Sequence, residues 1–166
     1  MGPFFVEAFR YHRWANLHLL GACDALNDDQ LDLTSPGTYG TIRATLFHLV
    51  GAEQGYVERL GGSKRRLTRD SAFPGVDVLT EEAERSGDEL IGLAPTIHPD
   101  DEFEADFQDG RYRLKKGVVL LQALHHGNDH RTHICTILGA HGLAYGDMDV
   151  WAYGDVTGDI KPVAAR

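Results

Sequence analysis

Four long segments of the chain repeat apolar residues at intervals of three and four, and this feature constrains the fold more than any other. The segments cover about 3–26, 41–60, 77–94 and 117–140. Such spacing places apolar side chains on one face of a helix, so each segment is predicted to be an amphipathic helix. Four amphipathic helices joined by loops predict a four-helix bundle.

Residues that favour helix ends lie at the borders of these segments. Pro3 suits a first helical turn, and Thr38 or Thr41 could cap the second helix. Gly61, followed by a second glycine, is predicted to end the second helix, and Pro95 is predicted to end the third.

The stretch "EFEADFQDGRYRL" at 102–114 has a different pattern. Its apolar residues alternate with acids, and "DG" at 109–110 is a strong turn signal. The predicted fold class is therefore all-α, a four-helix bundle with a small β-hairpin between helices three and four. The remainder, about 143–166, has scattered glycines and no periodicity, which predicts an irregular tail on a single domain spanning residues 1–166.

The composition excludes several functional classes. The 166 residues carry a formal charge of -9, and nucleic-acid binding needs clustered positive charge, so we expect no nucleic-acid partner. The basic stretch "GGSKRRLTR" at 61–69 is short and favours a solvated loop. No signal peptide or membrane-spanning stretch is apparent, so we expect a cytoplasmic protein. Cys23 and Cys135 are expected to be free thiols.

The last long segment contains four histidines between positions 125 and 133. His126 and His130 are four residues apart, so they lie on one helix face, one turn apart. His133 lies on the same side, whereas His125 is about 100° around the helix and is expected to face solvent. The stripe that holds His126 and His130 begins and ends with apolar residues, so it is predicted to point inward.

A third imidazole is available on the second helix, where His48 lies among small residues that leave a hollow around it. Facing helices of a bundle can supply the ligands of one metal ion. On the residues alone, a metal site and a set of ordinary core or rim histidines are both open. Glu53, on the inward side of the same helix, is either an acceptor that orients a ligand histidine or an acid at the bundle rim. The remaining histidines are interpreted as surface or boundary residues: His12, His18, His98 and His141.

Three stretches resemble the DinB/YfiT-like superfamily of metal-binding four-helix bundles: "YHRWANLHLL", "TYGTIRATLFHLVGAEQGYVERLGG" and "HHGNDHRTHICTILGAHGL". The resemblance implies that His48, His126 and His130 bind one divalent metal. Arg131 matches the arginine that follows the last ligand, and His133 falls where many members carry glutamine. With Glu53, these two residues are the candidates for supporting the ligands.

The resemblance also implies an activity, since characterised relatives are thiol S-transferases and a mycothiol-dependent maleylpyruvate isomerase. We therefore expect a metal-dependent thiol S-transferase acting on a small electrophile, with a low-molecular-weight thiol as co-substrate. The alternatives are a metal-binding stress-response protein without turnover and a metal-dependent hydrolase. Zn or Ni is the first choice of metal, and Fe, Mn or Cu are alternatives. No catalytic residue is assigned.

The tail carries two large aromatic side chains, Trp151 and Tyr153. Exposed aromatic residues favour aggregation, so both are predicted to pack on the bundle or on a second subunit. A homodimer is expected on this ground.

Overall fold

Four long helices and one hairpin form the fold, as the periodicity predicted. The computed structural model describes residues 3–98, 100–107 and 109–163. Its helices and strands, in chain order, are α1 (Pro3–Asp24), α2 (Asp28–Leu31), α3 (Ile42–Leu60), α4 (Val76–Leu93), β1 (Glu102–Phe107), β2 (Gly110–Lys115), α5 (Lys116–Ala140) and α6 (Val150–Thr157).

The ends of α3 show how local sequence sets the helix boundaries. The Thr41 side chain accepts a hydrogen bond from the backbone N–H of Ala44 at 3.1 Å, so Thr41 rather than Thr38 caps the helix. Gly61 adopts a left-handed conformation with φ of 100°, which ends the helix as predicted. The helix that carries His48 is therefore fixed at both ends.

The long helices form a bundle in which α1 and α3 each pack against α4 and α5. Two apolar clusters fill its interior. One includes Leu19, Leu46 and Ile137, and the other includes Phe9 and Leu120. The two clusters draw on different stretches of the same four helices, which leaves a middle level of the bundle for polar side chains.

The hairpin pairs β1 with β2 in antiparallel fashion, with Phe103 opposite Leu114 and Phe107 opposite Gly110. Because Gly110 already pairs with Phe107, the connection consists of residues 108 and 109, one position earlier than the "DG" signal predicted. Residue 108 lies outside the described residues.

The prediction of an irregular tail is wrong for residues 150–157, which form α6 on the surface of α1. The Asp149 side chain caps α6 by accepting a hydrogen bond from the N–H of Ala152 at 2.8 Å. Eight residues are too few for a clear apolar period, so composition alone did not reveal this helix. The short α2 likewise lies between the first two predicted helices, in a stretch for which no helix was predicted.

The two tail aromatics have different environments. The Tyr153 hydroxyl donates to Oε1 of Glu7 at 2.6 Å, and its ring lies 5.8 Å from Tyr11 and 5.5 Å from Trp14. Trp151 is 74% exposed, so within this chain the packing prediction is wrong for Trp151 and confirmed for Tyr153. Whether a second subunit covers Trp151 stays a prediction.

Both cysteines are free, as expected, with Cys23 buried and Cys135 half-buried. In the part of the chain that the structure describes, every helix is too short or too polar to cross a bilayer.

Candidate metal centre

Three histidines from two helices converge on one point. His48 comes from α3, and His126 and His130 come from consecutive turns of α5. One ring nitrogen of each lies within 4.8 Å of those of the other two, and Nε2 of His48 lies 2.9 Å from Nε2 of His126. Ligands of a single ion would lie within about 4 Å of one another. The structure therefore brings together the three residues that the sequence selected, in a slightly wider arrangement.

The three imidazoles are uncharged at neutral pH. Burial lowers the pKa of His126 to about 3 and that of His130 to about 4, and the neighbouring histidines add to both effects. Burial and the nearby charge of Arg69 also lower the pKa of His48. A metal ligand must be deprotonated, so the environment holds all three rings in the form that binds a cation.

The donor set fits a divalent ion. Nδ1 of His130 is buried and has no hydrogen-bond partner among the described residues. A buried polar atom without a partner is unfavourable, and a bound ligand can remove that penalty at the cluster. Three imidazoles suit zinc, nickel, copper and iron almost alike, so the residues fit a metal without selecting one.

Tyr39 covers part of the triad, and the sequence did not single it out. Its ring stacks on His48 at 4.4 Å with an interplanar angle of 15°, and it meets the edge of His130 at 4.8 Å. The one available signal was its position in the turn just before the helix that carries His48. The aromatic contact restricts the orientation of the His48 ring.

A pocket of about 900 Å³ opens beside the triad, with His48 and His126 in its wall. This volume is within the range of small-molecule sites, roughly 300–1,000 Å³. The sequence predicted that small residues would leave a hollow around His48. The α3 side of the pocket is indeed lined by small residues: Ala44, Gly51, Ala52 and Gly55.

The other two histidines of the cluster lie outside the triad. His125 is exposed, as predicted, with Nδ1 3.6 Å from a carboxylate oxygen of Asp129. The ring of His133 lies 5.4 Å from that of His130, and its buried Nδ1 has no hydrogen-bond partner in the described part of the chain. A supporting role for His133 stays a prediction.

Glu53 belongs to a second polar cluster, and neither sequence interpretation of it holds. It is buried rather than at the rim, and the described hydrogen bonds link it to side chains other than the three triad histidines. Its carboxylate accepts hydrogen bonds from Nε2 of His12 at 2.7 Å, Nδ2 of Asn16 at 2.8 Å and Oγ of Ser86 at 2.5 Å. Glu53 therefore orients His12.

His12 was expected at the surface or boundary, and this expectation is wrong, because its side chain is buried among residues of α1, α3 and α5. Arg131 donates to Oδ1 of Asn16 at 2.7 Å and to Nδ1 of His12 at 3.3 Å. A guanidinium cannot accept a hydrogen bond, so His12 accepts at Nδ1 and donates to Glu53 from Nε2. Arg131 thus holds His12, and it follows directly after His130 in the chain.

Sequence reasoning missed this network because its partners lie far apart in the chain. His12 and Asn16 are four residues apart on α1, which was the available local signal. Their acceptor, Glu53, follows 37 residues after Asn16. The side chains meet only because α1 and α3, which both pack against α4 and α5, face each other across the bundle interior. We name this cluster the buried network; its members are His12, Asn16, Glu53, Ser86 and Arg131.

Comparisons with known proteins agree with this architecture. The family model described as the DinB family matches residues 1–162. Among solved structures, a DinB-like protein from Bacillus cereus is similar, with a TM-score of 0.66 and 18% sequence identity over 86% of this chain and 94% of that chain. At that identity the likeness concerns the fold alone. No curated protein matches the chain. On the extent of the family match, the chain belongs to the DinB family.

Proposed function

We propose that the protein is a metal-dependent enzyme of the thiol S-transferase type that acts on a small electrophile. One divalent ion, Zn or Ni, would be held by His48, His126 and His130. The observation that carries the proposal is the triad of uncharged imidazoles, of which His48 and His126 lie in the wall of a pocket of about 900 Å³.

The number of protein ligands supports an enzyme over a storage protein. Catalytic zinc sites keep one position open to water or substrate, whereas structural sites are closed by a fourth protein ligand. Within the described residues, the cluster able to hold an ion consists of these three histidines only. The open position would face the pocket.

The protein's own cysteines are poorly suited to be the nucleophile. Cys23 is buried, and burial raises its pKa to about 12. Cys135 lies 3.9 Å from the sulfur of Met148, and burial raises its pKa as well. Thiols react as thiolates, so both are poor nucleophiles at neutral pH. A low-molecular-weight thiol is therefore the better candidate.

The bound ion would lower the pKa of a thiol beside it and so supply a thiolate at neutral pH. In the transfer, a carbon–sulfur bond forms, the bond from that carbon to its leaving group breaks, and the thiol proton passes to solvent. Tyr56 lies with its ring 5.6 Å from that of His126, and burial raises its pKa. Its hydroxyl thus keeps its proton and can donate a hydrogen bond into the pocket.

The test joins metal binding to turnover. Metal-free protein is titrated with zinc or nickel by calorimetry, and the loaded protein is then assayed for conjugation of mercaptoethanol to chlorodinitrobenzene. We expect one ion per chain and conjugation that depends on it. His126→Ala should lose both, whereas the exposed neighbour His125→Ala should keep both.

Other results would decide against the proposal. Hydrolysis of nitrophenyl acetate without thiol conjugation would assign a hydrolase. Tight metal binding without either reaction would assign a metal-binding protein without turnover. Absence of metal binding by the wild-type protein would remove the site itself.

A further inference from the structure

The pocket beside the triad is rich in positive charge, although the chain as a whole is acidic. Arg59 at the end of α3 and Arg65 and Arg69 in the following loop line the pocket, in a chain of formal charge -9. Among the residues that the structure describes, no aspartate or glutamate lines it. The basic stretch expected to be only a solvated loop therefore borders the candidate site.

Two of these guanidinium groups lie over the same glycine. A Cβ atom at Gly55 would lie 3.2 Å from Nη1 of Arg59 and 3.6 Å from Nη1 of Arg65. Neither arginine, nor Arg69, forms an ion pair with a carboxylate in the described part of the chain. Arg66 differs, because it pairs with Glu82 at 3.1 Å. Like charges repel each other, so their convergence is favourable when an anion lies between them.

Hydrogen bonds to the backbone fix the loop over α3. Oε1 of Gln54, a buried side chain, accepts from the N–H of Arg66 at 2.9 Å and from that of Leu67 at 3.0 Å. Nε2 of Gln54 donates to Glu82 at 2.7 Å. Arg65 and Arg69 flank this anchored pair, so the fold holds both at the pocket.

The arginines and the triad share one pocket. His48 and His126 line the same pocket as the three arginines. The charge of Arg69 is close enough to lower the pKa of His48. Arg59 also lies 6.0 Å from the centre of the Phe107 ring, at the side where the hairpin borders the pocket. A small molecule can therefore reach the arginines and the triad together.

We propose that Arg59, Arg65 and Arg69 form a carboxylate-binding subsite, which holds an anionic group of the small molecule whose reactive atom reaches the histidine triad. Guanidinium groups bind carboxylates through two parallel hydrogen bonds, which fixes orientation as well as position. The role in a reaction rests on the proposed function, whereas the binding of the carboxylate does not. The carboxylate belongs either to the thiol or to the electrophile.

The first test uses the metal-free full chain, titrated by calorimetry with succinate and with uncharged succinamide. We expect succinate to bind at least about ten-fold more tightly, because a hydrogen bond to a charged group is about twice as strong as a neutral one. Arg65→Gln and Arg69→Gln should each weaken succinate binding about ten-fold. Arg66→Gln removes the same charge from the same loop and should change it less than about two-fold, since its guanidinium faces Glu82.

Three results would contradict the proposed subsite: the wild type does not bind succinate, succinamide binds as tightly as succinate, or Arg66→Gln and Arg65→Gln weaken succinate binding equally. All substitutions are at exposed positions, so the variants should fold. The titration needs neither metal nor turnover. Its failure is therefore distinguishable from a failure of the proposed S-transferase activity.

A second test identifies which molecule carries the carboxylate, using zinc-loaded protein. If it is the thiol, mercaptosuccinate should bind at least about ten-fold more tightly than mercaptoethanol, and Arg65→Gln should remove that advantage. If it is the electrophile, the two thiols should bind alike and succinate should still bind beside mercaptoethanol. If mercaptoethanol abolishes succinate binding and mercaptosuccinate is not preferred, the carboxylate can belong neither to the thiol nor to the electrophile, and the proposal is contradicted.

Discussion

Helix α5 carries two polar sites at the same level of the bundle. On one face, His126 and His130 meet His48, and His126 lies in the wall of the pocket. On the adjacent face, Gly127 and Arg131, also four residues apart, meet the side chains of the buried network. The two sites share a helix and a spacing, but they differ in how their polar atoms are paired.

The buried network is paired internally. Each charge and donor named above has a partner, with Glu53 and Arg131 supplying opposite charges and His12 lying between them. The triad is different, because it joins three uncharged imidazoles without a carboxylate among them. A paired network fixes the positions of the helices, whereas an unpaired one is suited to bind a ligand. This difference predicts separate effects of substitution at the two sites.

The largest effect on stability is expected from the network. Glu53→Ala leaves His12, Asn16 and Ser86 without their acceptor. It also removes the buried charge that offsets that of Arg131, and an uncompensated buried charge costs about 3–5 kcal/mol. The free energy of unfolding from urea denaturation should fall by that amount. Glu58→Ala, at an exposed position on the same helix, should change it by less than about 0.5 kcal/mol. Equal effects of the two substitutions would contradict an internally paired network.

The triad should show the opposite behaviour. His48→Ala, His126→Ala and His130→Ala should each weaken metal affinity by more than about 100-fold, because two remaining imidazoles rarely hold the ion. Their metal-free free energies of unfolding should change far less than that of Glu53→Ala. Calorimetric metal titration and urea denaturation give the two readouts. A variant that keeps full affinity would remove that histidine from the site.

Gly127 lies at the boundary between the two sites. A Cβ atom at this position would collide with Cε1 of His12 and press on Arg131. Gly127→Ala should therefore lower the free energy of unfolding by about 1–3 kcal/mol, as overpacking does, despite the higher helix propensity of alanine. Gly21→Ala, with open space around its Cβ position on α1, is the control and should not destabilise the protein. A stabilised Gly127→Ala variant would show that His12 can move freely.

The pH dependence should come from the triad. The pKa of His126 is lowered to about 3 and that of His130 to about 4, whereas an unfolded histidine has a pKa near 6.5. Unfolding therefore takes up protons in acid, and stability present above about pH 7 should be lost as pH falls from about 6.5 towards 4. The Tm of metal-free protein should fall over that range, and less steeply in His126→Ala. An identical profile in both would contradict the lowered pKa.

Burial also changes the expected pH range of metal binding. Free imidazole would lose metal as pH drops through roughly 6, but the lowered pKa values keep the ligands deprotonated in more acid solution. Zinc titrations should therefore show binding at about pH 5.5 that a free imidazole triad would have lost.

The smallest effect is expected at His133, whose ring packs against that of His130. His133→Ala should weaken metal affinity by about ten-fold, because a neighbour that orients a ligand typically contributes that amount. His125→Ala should leave the affinity unchanged. Equal affinities of both variants and wild type would leave Tyr39 as the contact that orients the ligand rings.

Local sequence was enough to predict the four long helices, their approximate ends and the face on which His126 and His130 lie, but not the short helices α2 and α6. Helix period is a local property, so two residues four apart share a face wherever the helix packs. The hollow around His48 could also be predicted from the sequence, because small residues one helical turn away leave space however the helix packs. These features made a metal site one of two open interpretations, and the resemblance to the DinB/YfiT-like superfamily then selected His48, His126 and His130.

The partners of buried polar groups were decided by tertiary structure. Nothing near His12 in the chain indicates that Glu53 will accept its hydrogen bond, since the two are 41 residues apart and meet only when the bundle places α1 and α3 across its interior from each other. The same holds for Arg65 and Arg69, whose loop faces the pocket because Gln54 binds its backbone. Sequence periodicity fixes which face of a helix is buried. The rotation and depth at which helices and loops meet depend on packing across the whole bundle, and that packing decides which polar atoms are paired and which remain free to bind.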